Sequence, residues 1–154
     1  MTSAIETKLA AMGVTLPDAP AAAGNYVPYV VTGDLVFVSG QISMDAGGLI
    51  TGKLGDDFSV AQGMAAAKAC AINLLTQLKA ACDGDLDRLV RVVKLGGFVN
   101  STPDFVDQPK IINGASDFLV EALGDIGMHA RAAVSAPSLP MGVAVEIDAV
   151  FQIK

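Results

Sequence analysis

A strict alternation at the C-terminal end of the chain constrains the fold more than any other sequence feature. From residue 142 onwards every second residue is apolar, and the opposite positions include Glu146 and Asp148. The apolar set is Val143, Val145, Ile147, Ala149, Phe151 and Ile153. A period of two is that of a β-strand. We therefore predict a long strand over Gly142–Ile153 with one buried face, and a second face that is solvated or lies at a sheet edge or an interface.

Two β-rich segments upstream predict a hairpin. Residues 26–32 and 35–39 are separated by Gly33-Asp34, a pair that favours a tight turn. The stretch over residues 44–56 contains four glycines and is predicted to form a loop.

Two more strands are predicted in the second half of the chain. Within Leu89–Asn100, the pair Gly96-Gly97 indicates a β-bulge or the close approach of another segment. Ala130–Ala136 is a shorter apolar run that also suits a strand. Together with the hairpin and the C-terminal strand, these segments predict one mixed sheet.

Apolar residues at helical spacing predict two helices in the first half of the chain. Residues 3–13 begin with Ser3 and Glu6, which have the spacing of a capping box, and the Pro/Ala stretch over residues 16–24 ends this helix. The strongest helix covers residues 60–82, after a second capping box formed by Ser59 and Gln62. Gly84 ends its pattern.

A further helix is predicted over residues 107–123. Asp107 is a candidate cap, Pro109 suits the first turn, and Gly124 ends the pattern. The predicted order is therefore hairpin, helix, strand, helix and two strands, which indicates an α/β (α+β) fold with a mixed β-sheet covered on one face by two helices.

The length of 154 residues is that of one domain. We predict a single domain over residues 1–154. Residues 1–24 form an N-terminal helix followed by a Pro/Ala loop, and residues 25–154 form the core.

Charge and composition disfavour nucleic acids and membranes as partners. The formal net charge is −6, the ten cations are not clustered and Trp is absent, so phosphate backbones are repelled and base stacking is weak. No run of 18 apolar residues occurs, which predicts no membrane span. The first ten residues lack the basic and apolar segments of a secretory signal, and we expect a cytoplasmic protein.

The motifs of metal, nucleotide and serine-hydrolase chemistry are missing from the sequence. His129 is the only histidine, so neither a zinc site nor a Ser-His-Asp triad is predicted, and no glycine-rich phosphate motif occurs. Cys70 and Cys82 fall in one predicted helix, about 18 Å apart at 1.5 Å per residue, too far for a disulfide. We expect buried thiols in a reducing compartment and no metal or organic cofactor.

Charged and polar side chains in apolar surroundings are the remaining candidates for chemistry. Arg131 is the only Lys or Arg between residues 110 and 154, so it either extends to solvent or pairs with an anion. Glu146 and Asp148 share a strand face. Asn113 is a modest misfit within a helix, and Tyr26 suits a half-buried sheet position.

Two separated motifs resemble those of the RidA family, also called YjgF or L-PSP. Gly33–Gln41 reads G-D-L-V-F-V-S-G-Q and is similar to the first signature of the family. Ala130–Phe151 reads A-R-A-A-V-S-A-P-S-L-P-M-G-V-A-V-E-I-D-A-V-F and is similar to its closing signature without a gap. Between them, Arg91–Phe98 with Pro103-Asp104-Phe105 resembles the third-strand motif and the turn after it.

The resemblance extends over about residues 26–153. The N-terminal helix and a few residues near 107–110 lie outside the short family members, which indicates a longer subgroup. The resemblance implies a chorismate-mutase-like fold, a homotrimer with clefts between subunits, and no cofactor.

The implied activity is hydrolysis of reactive 2-imino or enamine acids to 2-keto acids and ammonia, as in a 2-iminobutanoate/2-iminopropanoate deaminase. The implied ligands are small 2-imino and 2-keto acids. A non-catalytic trimer that binds small carboxylates is an alternative, as is RNA cleavage of the kind named endoribonuclease L-PSP. A chorismate-type mutase would rest on fold analogy alone.

The resemblance also assigns roles to residues. It places the carboxylate-binding arginine of the family on Arg131 and its strand glutamate on Glu146, which are the catalytic candidates. Its other substrate-binding positions fall on Tyr26, Gly40 and Asn113. A guanidinium can bind a carboxylate bidentately, and Glu146 could position or deprotonate a water molecule. The small polar or Cys residues usual after the arginine are alanines here, at positions 132 and 133, which bears on the substrate.

Overall fold

The computed structural model describes residues 2–21 and 24–154. Met1 lies outside the described residues, as do Ala22 and Ala23 of the predicted Pro/Ala loop. The elements follow in the order α1 (Ala4–Ala11), β1 (Tyr29–Thr32), β2 (Leu35–Ile42), β3 (Met44–Asp45), β4 (Gly48–Leu49), α2 (Val60–Ala81), β5 (Leu89–Asn100), α3 (Gln108–Leu123), β6 (Ala130–Ala136) and β7 (Val145–Ile153).

Five of the strands form one mixed sheet in the order β1-β2-β7-β5-β6. The pairs β1–β2, β2–β7 and β7–β5 are antiparallel, whereas β5 and β6 are parallel and are joined by α3. A parallel pair needs such a crossover, because a tight turn can only reverse the chain. The predicted α/β class and the mixed sheet are confirmed.

Helices α2 and α3 pack against each other and cover one face of the sheet, hereafter the covered face. The alternation of β7 is confirmed, because its odd-numbered residues are buried and its even-numbered ones are partly or fully exposed. The even-numbered residues of β7 therefore lie on the other side of the sheet, hereafter the open face.

The predicted helix caps form as expected. Ser3 and Glu6 make a capping box at α1, and Ser59 and Gln62 make one at α2. The prediction for Asp107 is only partly correct: it occupies the N-cap position of α3, but its side chain makes no capping hydrogen bond. It lies 3.6 Å from the Lys110 ammonium instead.

Several predicted strand boundaries were wrong. β1 begins at Tyr29, so Tyr26 precedes the sheet, and β2 continues past Gly40 to Ile42 through a register shift between Val38 and Gln41. The segment predicted as a loop over residues 44–56 contains the small β3–β4 hairpin. The C-terminal strand starts at Val145.

The glycine pair of β5 marks close approach and not a bulge, since the register shifts of β5 lie nearer its start. A Cβ on Gly96 would lie 2.4 Å from a carboxylate oxygen of Asp148, and one on Gly97 would lie 2.7 Å from Cδ1 of Ile112. Gly96 therefore gives room to a side chain on the open face, and Gly97 lets α3 approach the covered face.

The two long helices approach each other closely at Gly114 of α3. A Cβ there would lie 2.0 Å from the backbone oxygen of Met64 in α2. Because that atom belongs to a helix backbone, it cannot move aside as a side chain could. Small residues in α2, including the fully buried Ala66, Ala67 and Ala71, allow the same close packing.

The N-terminal helix α1 is attached to the core by three kinds of contact. Leu9 is 1% exposed and belongs to the hydrophobic core. The Asp87 carboxylate accepts hydrogen bonds from the backbone N–H groups of Ala4 and Ile5 at 2.9 and 3.2 Å, which suits the positive end of a helix. The Lys79 ammonium pairs with Glu6.

None of the helices in the described parts of the chain combines the length and apolar character needed to cross a membrane.

Candidate functional site

A pocket of about 540 Å³ lies between α3 and the start of β6, hereafter the α3–β6 pocket. Its polar lining comprises Asn113, Ser116, Asp117, Glu121, His129 and Arg131. Asn113 and Ser116 are three residues apart on α3 and therefore project from the same side of the helix. His129 lies directly before β6, and Arg131 is the second residue of that strand. The predicted residues Asn113 and Arg131 thus share one site.

Two neutral acceptors hold the guanidinium of Arg131 in this pocket. Its Nη1 donates to Ser116 Oγ at 3.0 Å, and its Nη2 donates to the backbone oxygen of Pro109 at 3.2 Å. A guanidinium has five N–H donors, so three remain for a ligand. The described residues place no carboxylate within 4 Å of it. Its charge is therefore not paired directly with a described carboxylate, although Asp117 and Glu121 line the same pocket.

His129 orients Ser116. The imidazole Nδ1 lies 2.6 Å from the backbone oxygen of Gly127, and its Nε2 lies 2.8 Å from Ser116 Oγ. A carbonyl can only accept, so Nδ1 carries a proton. In the neutral imidazole Nε2 is then the acceptor, and Ser116 donates its hydroxyl proton to it while accepting from Arg131.

Glu146 lies on the open face, on the opposite side of the sheet from Arg131. The strand register pairs Arg131 with the fully buried Leu95 and Glu146 with Phe98. Leu95 and Phe98 are three residues apart on β5, so they point to opposite faces. The two predicted catalytic residues therefore do not meet within one chain.

Gly40 lies directly against Glu146. A Cβ at position 40 would lie 2.7 Å from Glu146 Oε2, so only glycine leaves room for this carboxylate. Burial, and next the neighbouring charge of Asp148, raise the pKa of the Glu146 carboxyl above its ordinary value. Gly40 and Glu146 thus form a second group of predicted site residues.

Tyr26 belongs to neither group. It is 57% exposed and lies in the bend before β1, at the sheet edge farthest from β6. The prediction of a half-buried sheet position was wrong. Pro28 has no backbone N–H, so it cannot extend the hydrogen-bond ladder of β1 towards the N-terminus. Ser39 holds this segment instead, since its hydroxyl donates to the backbone oxygen of Val27 and its N–H donates to that of Pro28.

The two alanines after Arg131 point to different faces. Ala132 pairs with Gly96 on the open face, and Ala133 packs partly against the core. Neither side chain offers a hydrogen-bonding group beside Arg131.

Sequence reasoning missed Ser116, His129 and the oxygen of Pro109. The available signal was their spacing from predicted site residues. Ser116 lies three residues after Asn113, and His129 lies two residues before Arg131. The pairing of Ser116 with His129 depends on how α3 packs against β6, which no local pattern encodes.

The described residues, 2–21 and 24–154, contain no group of three or more His, Cys, Asp or Glu side chains placed to hold a metal ion. Cys70 and Cys82 are free and buried, and burial raises the pKa of both thiols.

Comparison with known proteins identifies the family. A family model described as "YjgF/chorismate mutase-like, putative endoribonuclease" matches residues 6–151. The chain belongs to this YjgF/RidA-like family. The resemblance seen in the two sequence motifs is therefore confirmed.

The family relatives include proteins of similar length. Protein TCP17 of Trypanosoma cruzi is 48% identical, covering 97% of this chain and 94% of that protein. The Atu1372 structure from Agrobacterium tumefaciens is also 48% identical, with a TM-score of 0.90 over 97% of this chain and 94% of that one.

More distant members have the same fold. A Shewanella oneidensis structure, named as a "putative endoribonuclease", is 35% identical with a TM-score of 0.92, covering 97% of this chain and 99% of that one. Escherichia coli TdcF, solved with bound serine, is 26% identical with a TM-score of 0.61, covering 88% and 94%.

Proposed function

We propose that this protein hydrolyses small 2-imino or enamine acids to 2-keto acids and ammonia, in a cleft completed by a neighbouring copy of the chain. The observation that carries the proposal is the guanidinium of Arg131, which neutral acceptors hold in the α3–β6 pocket. Such a guanidinium is preorganised to bind a carboxylate. TdcF, solved with bound serine, is a family member with a small ligand that carries an α-carboxylate.

Association of copies would bring the two groups of site residues together. Exposed apolar side chains occur at both ends of the sheet: Tyr26, Val27 and Val30 near the β1 edge, and Met128 and Val134 near the β6 edge. A repeated contact between unlike edges closes into a ring when the rotation from one copy to the next is a whole fraction of a turn. We propose a homotrimer in which the β1 edge and open face of one chain meet the α3–β6 pocket of the next.

The chemistry uses the raised pKa of Glu146. Arg131 fixes the carboxylate, and the backbone of Gly40 and the amide of Asn113 orient the imine. Glu146 takes a proton from water as the water oxygen bonds to the imine carbon, and it passes this proton to the imine nitrogen. It then takes the hydroxyl proton of the resulting carbinolamine and passes it to the amino nitrogen, so that the keto group forms, the C–N bond breaks and ammonia leaves. A carboxylate with a raised pKa is a stronger base, and orientation lowers the barrier further. No cofactor is required.

Two observations favour specific alternatives. The alanines at positions 132 and 133 remove polar groups beside Arg131, which favours a trimer that binds 2-keto acids without catalysis. The family description and several relatives carry the endoribonuclease name. The net charge of −6 and the absence of Trp disfavour binding of an RNA strand, because its phosphates are repelled and its bases find few aromatic rings to stack on.

The test couples an amino-acid dehydratase, which generates the imine, to this protein and measures keto-acid formation. Wild type should accelerate it, Arg131→Ala should lose binding and rate, and Glu146→Gln should lose rate while still binding pyruvate. Binding without acceleration would support the non-catalytic alternative. Wild type that neither binds 2-keto acids nor accelerates the reaction would refute both. Micromolar, salt-dependent binding of single-stranded RNA would favour the endoribonuclease alternative.

The buried free thiols Cys70 and Cys82 suit a reducing compartment, and we propose the cytoplasm as the location of the protein.

A further inference from the structure

We infer that Ser116 and His129 are positioning residues that hold Arg131 ready for a carboxylate ligand. The inference rests on the proposed function, since it concerns the same guanidinium. It adds two side chains that take no part in the proposed chemistry itself. The hydrogen-bonded series from Gly127 to Arg131 carries the argument.

The series has a defined direction. It begins at a backbone oxygen, that of Gly127, which can only accept and so places a proton on Nδ1 of His129. Nε2 of the neutral imidazole then accepts from the Ser116 hydroxyl over 2.8 Å. The lone pairs of Ser116 Oγ remain for Nη1 of Arg131, 3.0 Å away. Each group thus determines whether the next one donates or accepts a hydrogen bond.

The consequence is a guanidinium held at two points. Ser116 Oγ holds Nη1, and the backbone oxygen of Pro109 holds Nη2 at 3.2 Å. An arginine side chain otherwise has large rotamer freedom, which it must lose when it binds a ligand. Holding the guanidinium before the ligand arrives removes part of that loss. Loss of Ser116 or His129 should therefore weaken carboxylate binding without removing any ligand contact.

The same contacts argue against Ser116 as a nucleophile. In a hydrolase triad the histidine is oriented by a carboxylate, which stabilises the imidazolium that forms. Here the partner of His129 Nδ1 is a neutral backbone oxygen. Ser116 also accepts from Arg131, so one of its lone pairs is already engaged.

The test uses the whole chain of 154 residues with four variants at Ser116 and His129 and one control variant. Ser116→Ala and His129→Phe remove the hydrogen bonds, whereas Ser116→Thr and His129→Gln retain hydrogen-bonding groups. Ser135→Ala is the matched control. Ser135 lies on the same face of β6 as Arg131, but its hydroxyl forms a hydrogen bond with that of Ser101 at 2.6 Å. The measurements are the Kd of pyruvate by calorimetry, and KM and kcat in the coupled deaminase assay.

We expect Ser116→Ala and His129→Phe to raise the Kd of pyruvate and KM by about three- to tenfold, the range of one net hydrogen bond. The value of kcat should stay within about twofold, because the lost stabilisation is common to ground and transition state. Ser116→Thr, His129→Gln and Ser135→Ala should behave like wild type. Damage to the fold would instead lower the active fraction, and with it kcat, at unchanged KM.

Arg131→Ala separates the two proposals. If it binds pyruvate as wild type does, the proposed function fails. If it loses binding while Ser116→Ala and His129→Phe retain wild-type Kd and KM, the positioning role fails alone. Loss of kcat in Ser116→Ala with unchanged Kd would also overturn the positioning role, because it would identify Ser116 as a nucleophile.

Discussion

The two faces of the five-stranded sheet have opposite construction. On the covered face, Leu95, Ile147 and Phe151 are fully buried. On the open face, Phe37 and Val134 remain 45% and 47% exposed, beside the carboxylates of the central strand. A single chain completes the packing of the covered face, whereas the open face has apolar surface that only an additional contact can bury.

The same difference applies to the two charged candidates. Arg131 extends from the covered face into a pocket where α3 supplies both of its acceptors. Glu146 on the open face accepts no hydrogen bond from any described residue; it lies against Gly40, which leaves room for it, and is repelled by Asp148. The arginine is therefore stabilised within one chain. The glutamate is in an unfavourable setting, as is common for groups that carry out chemistry.

The first prediction tests how the helices pack over the covered face, and its expected effect on stability is the largest. Gly114→Ala places a methyl group against the backbone oxygen of Met64, and a helix must shift. We expect a loss of about 3 kcal/mol or more in the free energy of unfolding, at the upper end of overpacking costs. Chemical denaturation measures it.

The matched control for Gly114→Ala is Gly96→Ala on the open face. Its new methyl group would meet the Asp148 side chain, which is exposed and can rotate away. We expect less than about 1 kcal/mol of destabilisation there. If both variants lost the same free energy of unfolding, the two faces would not differ in how well they tolerate an added methyl group.

The second prediction concerns the unburied apolar residues of the open face. Phe37→Glu places a charge in the proposed contact and loses the burial of an aromatic ring. We expect the dissociation constant of the trimer to rise about a hundredfold, or about 2.7 kcal/mol. Light scattering over a dilution series measures this change, and circular dichroism checks that the monomers stay folded.

Leu49→Glu is the control for Phe37→Glu, because Leu49 is 42% exposed but lies on the small β3–β4 hairpin outside the sheet. A wild type that is monomeric at micromolar concentration would refute the proposed assembly. A Phe37→Glu variant as trimeric as wild type would move the contact away from the open face.

The covered face was the more predictable of the two from sequence. The alternation of β7 and the capping boxes of α1 and α2 are local patterns, and each formed as predicted. The wrong boundaries lie where a local pattern is weak. β2 continues past Gly40 through an irregular register, and the glycine-rich segment of residues 44–56 contains a hairpin.

The candidate site was predictable only in part. Arg131 and Asn113 are both predicted site residues, and they line one pocket. Their relation to Glu146 was not predictable, because the period of one strand does not reveal on which side of a different strand another residue lies. Ser116 and His129 were missed since they meet only through the packing of α3 on β6.

The third prediction concerns the unfavourable setting of Glu146. The pKa of its carboxyl is raised by burial, so the folded state binds its proton more tightly than the unfolded state does. The tighter proton binding stabilises the folded state. This contribution is fully present below the pKa of Glu146 in the unfolded state and is lost as pH rises through its pKa in the folded state. Glu146→Gln should therefore be more stable than wild type by about 0.5–1 kcal/mol near pH 8, and equal to it near pH 4. Thermal melts across this range measure the difference, and a constant offset at every pH would contradict it.

The last prediction concerns Glu6, a carboxylate with the opposite setting and the smallest expected effect. Its hydrogen bond with Lys79 lowers its pKa, so its contribution to stability is present above the unfolded pKa and is lost as pH falls through the folded one. Glu6→Gln retains a capping-box residue and removes only the charge. Because the Lys79 side chain is 39% exposed, the pair contributes no more than about 0.5 kcal/mol. Glu6→Gln should thus be less stable than wild type at pH 7 and converge with it toward pH 3, and added salt should narrow the difference at pH 7. The two glutamine variants should therefore depart from wild type in opposite directions at neutral pH. If Glu6→Gln and Glu146→Gln changed the stability in the same direction, the change in net charge would explain both results. The contrast between a stabilised and an unfavourably placed carboxylate would then fail.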